Sequence, residues 1–364
     1  MTKVKNLTPT PVGNVGGTDL GIPFVMPSGN VGFICGDTWG GTQPQIGGDD
    51  STWRSPMILR SNTRNMALPI EFQTAVRNGA QLWDYQHNNG TFTTVLPCDA
   101  VTINGRIYLW VMVTAGLGNE LWCEIWYSDD DGDSWVNGTE YVNGASVWNT
   151  AHFGGKRVMM TWDRGRDGWV YAISTGGLAR NKNAIMWRVR EEDILDKAKW
   201  EARVFRNGAW SWAIDPPDPA DILPAGTSLG EIGLRWIQGN WVFSGFDAGA
   251  YNAFIRVGAG GDPSSVNWHT APVSRPVKGV GFIGDIVPQL YGCYVHPDSK
   301  FKNADGTTGS FVMIVSTWNT STGNPYRFMQ YRVATPAPVS TPIADPSPPD
   351  ASEWTSILAE FIGN

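Results

Sequence analysis

Charge is scarce in this chain and leans acidic: 27 Lys and Arg stand against 34 Asp and Glu in 364 residues, a formal charge of −7, with 17% of residues charged. A nucleic-acid binder needs a Lys/Arg-rich face to neutralise phosphates, so no nucleic-acid partner is expected and a neutral polymer fits better. Cysteine is rare as well. Cys35, Cys98, Cys123 and Cys293 form no CxxC pair and have no histidine at metal-ligand spacing, which argues against zinc. Cys35 and Cys123 fall inside apolar runs, where buried free thiols are the expectation, although the even count leaves disulfides open. No run approaches the ~18 apolar residues of a membrane span, so no membrane insertion is expected. The segment from Met1 to Pro9 lacks the apolar core of a secretion signal, which leaves either a removed signal or exit by another route, such as inside a phage particle. His87, His152, His269 and His296 are scattered, and there is no GxSxG elbow, no phosphate-binding GxxxxGK(S/T) loop and no GxGxxG after a strand. Serine-hydrolase and nucleotide chemistry therefore have no support.

What the chain has in quantity is turn formers and large rings: 43 Gly, 24 Pro and 19 Trp, the composition of many short strands. An apolar strand, a polar turn and a second strand recur five times, from Val31 to Arg60, Ile107 to Trp135, Trp169 to Val189, Leu234 to Val257 and Phe311 to Val333. Aligning Phe33, Leu109, Val170, Trp241 and Val312 leaves room in each unit for a four-stranded sheet. Repeats that cannot bury both faces alone point to an all-β chain arranged as a five-bladed β-propeller, with a pair of β-sandwiches as the competing architecture. Ser128 to Trp135 fits the Asp-box pattern S-x-D-x-G-x-(T/S)-W, read as a turn whose aspartates cap the backbone above a packed Trp. The cluster Asp129 to Asp131 with Asp133 leaves a structural calcium open, but lacks the further ligands of a calcium loop; no cofactor or metal is predicted. Glu191 to Lys199 reads as a short helix between blades. The propeller is assigned to 1–335, a Pro-rich linker to 336–350, and a short helix for docking or oligomerisation to 351–364, where Trp354, Ile357, Leu358 and Ile362 lie near helical spacing.

Two short acidic motifs, Gly17-Thr-Asp-Leu-Gly21 and Gly36-Asp-Thr-Trp-Gly-Gly41, precede Trp53-Arg-Ser-Pro56. In Val31 to Asp37 a period of two places Val31, Phe33, Cys35 and Asp37 on one face, so a carboxylate ends an apolar row and must face a cleft or a partner. Paired carboxylates beside aromatic platforms suit glycosidic cleavage, in which one acid protonates the leaving oxygen and one base activates water. Turn aspartates beside core tryptophans are the plainer alternative.

The stretches GTDLGIPF, VGFICGDTWGG, WRSPMILRS, LPCDAV, YLWVM leading to WYSDDDGDSW, and VSTWN with PYRFMQYRV together resemble a bacterial and phage family formerly of unknown function. That family is one of glycoside hydrolases acting as endo-D-arabinanases. The resemblance covers roughly residues 10 to 335. It implies a five-bladed propeller that cleaves internal α-D-arabinofuranosyl linkages of mycobacterial arabinogalactan and lipoarabinomannan, with Asp19 and Asp37 as the catalytic pair. An inverting mechanism is expected, with Asp37 as acid and Asp19 as base or the two roles exchanged. Trp39 is expected to supply an apolar wall and Arg54 a charge partner; Asp99 and Glu231 are candidates for a third acid that tunes the pair. Trp148, Trp318 and Tyr326 are candidates for stacking on sugars. The expected partner is the D-arabinan of actinobacterial envelopes, attacked from outside the cell by a phage-encoded protein that is virion-associated or released on lysis, with the tail serving homo-oligomer or virion attachment. A glycan-binding propeller without catalysis, in a virion or at a cell surface, is the competing function.

Overall fold

In the computed structural model the described residues are 1–41, 50–149, 155, 157–178, 180, 183–279 and 287–342. Five antiparallel sheets are arranged as the blades of a propeller, and a separate two-stranded ribbon joins Tyr141–Val142 to Ala145–Ser146. Blade one consists of Gly17–Val25, Val31–Trp39, Met57–Ser61 and Thr74–Ala75, and blade two of Thr94–Ile103, Arg106–Thr114, Glu120–Ser128 and Val136–Asn137. Blade three has five strands, Met159–Arg164, Trp169–Thr175, Ile185–Arg190, Glu201–Arg206 and Ala209–Ile214. Blade four has Leu229–Ile237, Asn240–Asp247, Asn252–Ala259 and Val273–Lys278. Blade five takes Leu290–Val295, Phe311–Trp318 and Tyr326–Val333 from the end of the propeller and its outer strand, Thr2–Asn6, from the start, with Thr2 opposite Arg332. Joining the two ends in one sheet closes the ring and protects what would be an open strand edge. Phe33, Leu109, Val170, Trp241 and Val312 each lie in the second strand of a blade, so the five-fold repeat seen in the sequence is the repeat of the fold.

The first strands of neighbouring blades touch around the central channel. There, Asp99 of blade two, fully buried, receives both ends of the Arg235 guanidinium from blade four, each at 2.8 Å. Arg235 also donates to the Pro23 carbonyl of blade one at 2.7 Å, and Thr161 of blade three donates its hydroxyl to Asp99. One ion pair thus ties four blades together. Between blades, indoles fill the space: Trp110, Trp148, Trp162, Trp187 and Trp200 are all buried, and the Arg157 guanidinium lies 3.9 Å from the Trp148 ring and 3.7 Å from that of Trp187. All four cysteines are buried free thiols.

The Asp-box residues form the turn expected. Asp130 accepts from the Ser134 amide at 2.8 Å and hydroxyl at 2.6 Å, and Trp135 Nε1 donates back to the Gly132 carbonyl at 2.7 Å. The expected helix at 191–199 is instead two 3-10 turns, Glu191–Asp193 and Lys197–Lys199, within blade three and not between blades; the Asp196 carboxylate caps the second by accepting from the Ala198 amide, which stops propagation. After blade five the chain stays bound to the propeller, since Asn240 Oδ1 accepts from the amides of Val339 and Ser340 at 2.9 and 2.7 Å. The Pro-rich stretch beyond residue 342, the helix expected at 351–364, and His152 lie outside the described residues. No helix among the described residues is long and apolar enough to cross a membrane.

Candidate active site

A cleft of about 480 Å³ opens at the strand ends around the channel, in the size range of small-ligand sites. Asp19 and Asp37 lie in it together with Glu231, Trp318 and Tyr326. The two aspartates meet because of an irregularity in blade one. Thr18 pairs with Thr38 and Leu20 with Cys35, so Gly36 and Asp37 on the second strand oppose the single residue Asp19 on the first. This bulge re-aims the side chains at the end of the strand pair. Leu20 and Gly21 that follow have φ of 62° and 68°, a backbone that favours glycine and that a leucine adopts at a cost of roughly 1–3 kcal/mol. Gly36 has its own reason, because a Cβ at that position would collide with Asp19 Oδ1.

Asp19 Oδ2 accepts from the Tyr291 hydroxyl at 3.0 Å, and the Tyr326 hydroxyl is directed at the same carboxyl group. Asp19 Oδ1 is shut off from solvent with no hydrogen-bond partner. Burial, and after it the charge of Asp37, pushes the Asp19 carboxyl up to about 8 against the opposing pull of the two tyrosines. Asp37 has a more polar setting: its Oδ1 accepts from Trp53 Nε1 at 2.7 Å and from the Thr94 hydroxyl at 3.2 Å. Burial raises Asp37 to about 6, and these two hydrogen bonds hold it there. Two neighbouring carboxyls are thereby set on opposite sides of neutrality.

Glu231, from the first strand of blade four, is clamped by Arg180 through two bonds of 2.8 and 2.9 Å. Its charge adds to the upward push on Asp19. Trp39 stands one layer behind the cleft, stacked on Trp53 at 5.6 Å and edge-on to Tyr326 at 5.9 Å, so the wall it provides acts through its neighbours.

Other residues singled out in the sequence are placed elsewhere. Arg54 is not a charge partner of either aspartate: its guanidinium donates to the carbonyls of Gly13, Asn14 and Thr52. The reason is alternation. Arg54 bridges Thr38, so it follows that residue to the far face, while Trp53 takes the face of Asp37. Asp99 is not on the rim and does not line the cleft; the bulge between Pro97 and Asp99 turns it inward to Arg235, leaving Pro97 and Cys98 at the cleft wall. Trp148 is 1% exposed and packs on Trp110 and Trp200, out of reach of a sugar. Trp53, Thr94, Tyr291 and Arg180 escaped sequence reasoning. Trp53 had a signal, since it adjoins Arg54 in a motif already noted, but Tyr291 and Arg180 come from blades five and three with nothing local to mark them.

The family described as Domain of unknown function (DUF4185) matches residues 8–332. An uncharacterized 35.9 kDa protein of Mycolicibacterium smegmatis is 29% identical over 348 residues, spanning 90% of this chain and 95% of its own length. Among solved structures, a protein of Bacteroides ovatus provisionally described as a hydrolase superposes with a TM-score of 0.53 at 13% identity, over 88% of this chain and 86% of the other. A GH43_1 enzyme of Xanthomonas citri gives a TM-score of 0.49 at 10% identity, over 94% and 91%. At such identities the likeness is one of fold.

Proposed function

The chain belongs to the DUF4185 family, and we propose that it is a glycoside hydrolase that cuts internal α-D-arabinofuranosyl linkages, an endo-D-arabinanase. The observation that carries the reading is the pair Asp19 and Asp37, adjacent in one cleft and raised to about 8 and about 6. At neutral pH the first holds a proton and the second has lost its own, which is the state an acid and a base require before substrate arrives. Asp19 is therefore the acid and Asp37 the base, the exchanged assignment of the two roles. In the inverting step, Asp37 removes a proton from water as the water oxygen bonds to the anomeric carbon. The glycosidic C–O bond breaks with its electrons on the leaving oxygen, which takes the proton of Asp19. Tyr291 and Tyr326 hold the acid, Trp53 and Thr94 hold the base, and Trp318 offers a ring to a sugar face.

The arabinan substrate is supported by the sequence motifs around these residues. Mycobacterial arabinogalactan and lipoarabinomannan would be met outside the cell, by a phage-encoded or released protein attached through its tail. Digestion of D-arabinan followed by NMR tests both reaction and stereochemistry. New reducing ends in the β configuration are expected first. Ends that form first as α would overturn inversion, and no new ends would overturn the hydrolase. A glycan-binding propeller without catalysis is the second reading, favoured by the Trp318 and Tyr326 rings in the cleft, but it has no use for a carboxyl held protonated beside an ionised one.

A further inference from the structure

A second cavity, of about 650 Å³, lies beside the cleft on blade five. Gln289 lines both. Its side chain accepts from the Thr320 amide at 3.1 Å and donates to the Thr320 hydroxyl at 3.2 Å, which makes a thin partition between the two spaces. The third strand of blade five is the rest of that partition: Tyr326 lines the cleft, and the next residue, Arg327, lines the second cavity, as strand alternation requires.

Among the described residues, the charged side chains that line this cavity are of one sign. Lys3 and Arg327 line it with no Asp or Glu among the lining residues. Elsewhere in this acidic chain cations meet acids, as in Arg64 with Asp298, Arg106 with Asp129 and Arg164 with Glu191. Among the described residues neither the Lys3 nor the Arg327 side chain meets an acid, and Arg327 Nε is closed off from solvent without an acceptor. Partial burial, and then the charge of Arg327, holds the Lys3 ammonium below its ordinary value. The walls are otherwise largely apolar, with Val287, Met329 and Tyr331, so an anion between the two cations would be weakly screened.

We propose that this cavity is an anion subsite, which takes a carboxylate or phosphate-ester substituent carried by the glycan lying in the neighbouring cleft. The inference rests on the glycan reading of the cleft and extends it to substrate selection: decorated polymer is preferred over neutral polymer. An anion relieves the repulsion between Lys3 and Arg327, and its attachment to a sugar makes the contact intramolecular once the chain is bound.

The test is calorimetric binding to catalytically silent protein, Asp37→Asn, with and without Lys3→Gln and Arg327→Gln, using neutral D-arabinan, the same polymer partly succinylated, and inorganic phosphate alone. At low salt the parent is expected to bind the succinylated polymer about three- to tenfold more tightly than the neutral one, the effect of one or two partly exposed charge pairs. The preference should vanish in the Lys3→Gln, Arg327→Gln protein and in high salt, with neutral-polymer binding and circular dichroism unchanged. Equal binding of both polymers by the parent, or a preference that survives the double substitution, would overturn the subsite. Phosphate bound as tightly as the succinylated polymer would overturn the glycan-borne substituent in favour of a free anion. Failure to bind either polymer, with phosphate still captured through Lys3 and Arg327, would contradict the glycan reading of the cleft and leave the anion site standing.

Discussion

Asp19→Asn is expected to lower turnover on D-arabinan about 10²- to 10⁴-fold, the range lost with a general acid, while polymer binding persists. The substitution keeps the shape of the carboxyl group and its contact with Tyr291, and removes the proton that the leaving oxygen needs. It also carries a signature in stability. The Asp19 carboxyl is raised from 3.8 to about 8 on folding, so between those values the folded chain keeps a proton that the unfolded chain has released. Native stability from this group is complete below 3.8 and is lost as pH rises through about 8. Asn pays no such penalty. Thermal unfolding of the two proteins should therefore differ least in acid, separate progressively as pH rises from about 4 to about 8, and keep a constant difference above that, with the inactive variant the more stable there. Wild-type turnover should follow a bell, rising as Asp37 ionises near 6 and falling as Asp19 ionises near 8. A wild-type profile flat across this range, or Asp19→Asn with full turnover, would remove the assignment.

Asp99→Ala is expected to destabilise the propeller by about 3–5 kcal/mol, because it leaves the Arg235 guanidinium charged and unpaired in the interior. Arg235 would retain the carbonyls of Pro23 and Leu234 but lose both carboxylate contacts, and Thr161 would lose its acceptor. Blades one to four share that single junction, so the loss should appear as a cooperative fall in denaturant midpoint. Replacing the pair together, Asp99→Leu with Arg235→Met, should cost less than Asp99→Ala, since an apolar pair carries no stranded charge. Turnover of the folded Asp99→Ala fraction should stay near wild type. A strong loss of turnover at unchanged stability would instead return Asp99 to the reacting groups.

The blade count was legible because each blade repeats the same local problem, an apolar second strand followed by a turn, and Phe33, Leu109, Val170, Trp241 and Val312 all solve it. Closure was not legible. Thr2–Asn6 carries no apolar alternation that announces an outer strand, and its partner lies more than three hundred residues away. The same divide runs through the site. Asp19 and Asp37 sit in glycine-flanked motifs, and the bulge that joins them is local to one hairpin. Tyr291 and Thr94 reach them from two other blades, and Arg180 of a third clamps Glu231 beside them, from sequence neighbourhoods that read as ordinary strand or loop. Asp99 and Arg54 misled for a related reason: an acid near a strand end and a base near an acid suggest a site, but a bulge in one case and strand alternation in the other decide which way the side chain faces.

Chromatography of oligosaccharides released from mycobacterial arabinogalactan, by the wild-type protein and by Asp37→Asn in parallel, tests the central claim most directly. A ladder of arabino-oligosaccharides from the wild type and none from the variant is the predicted result. No release from either protein, with both still bound to the polymer, would contradict hydrolysis and make the cleft a recognition site for glycan.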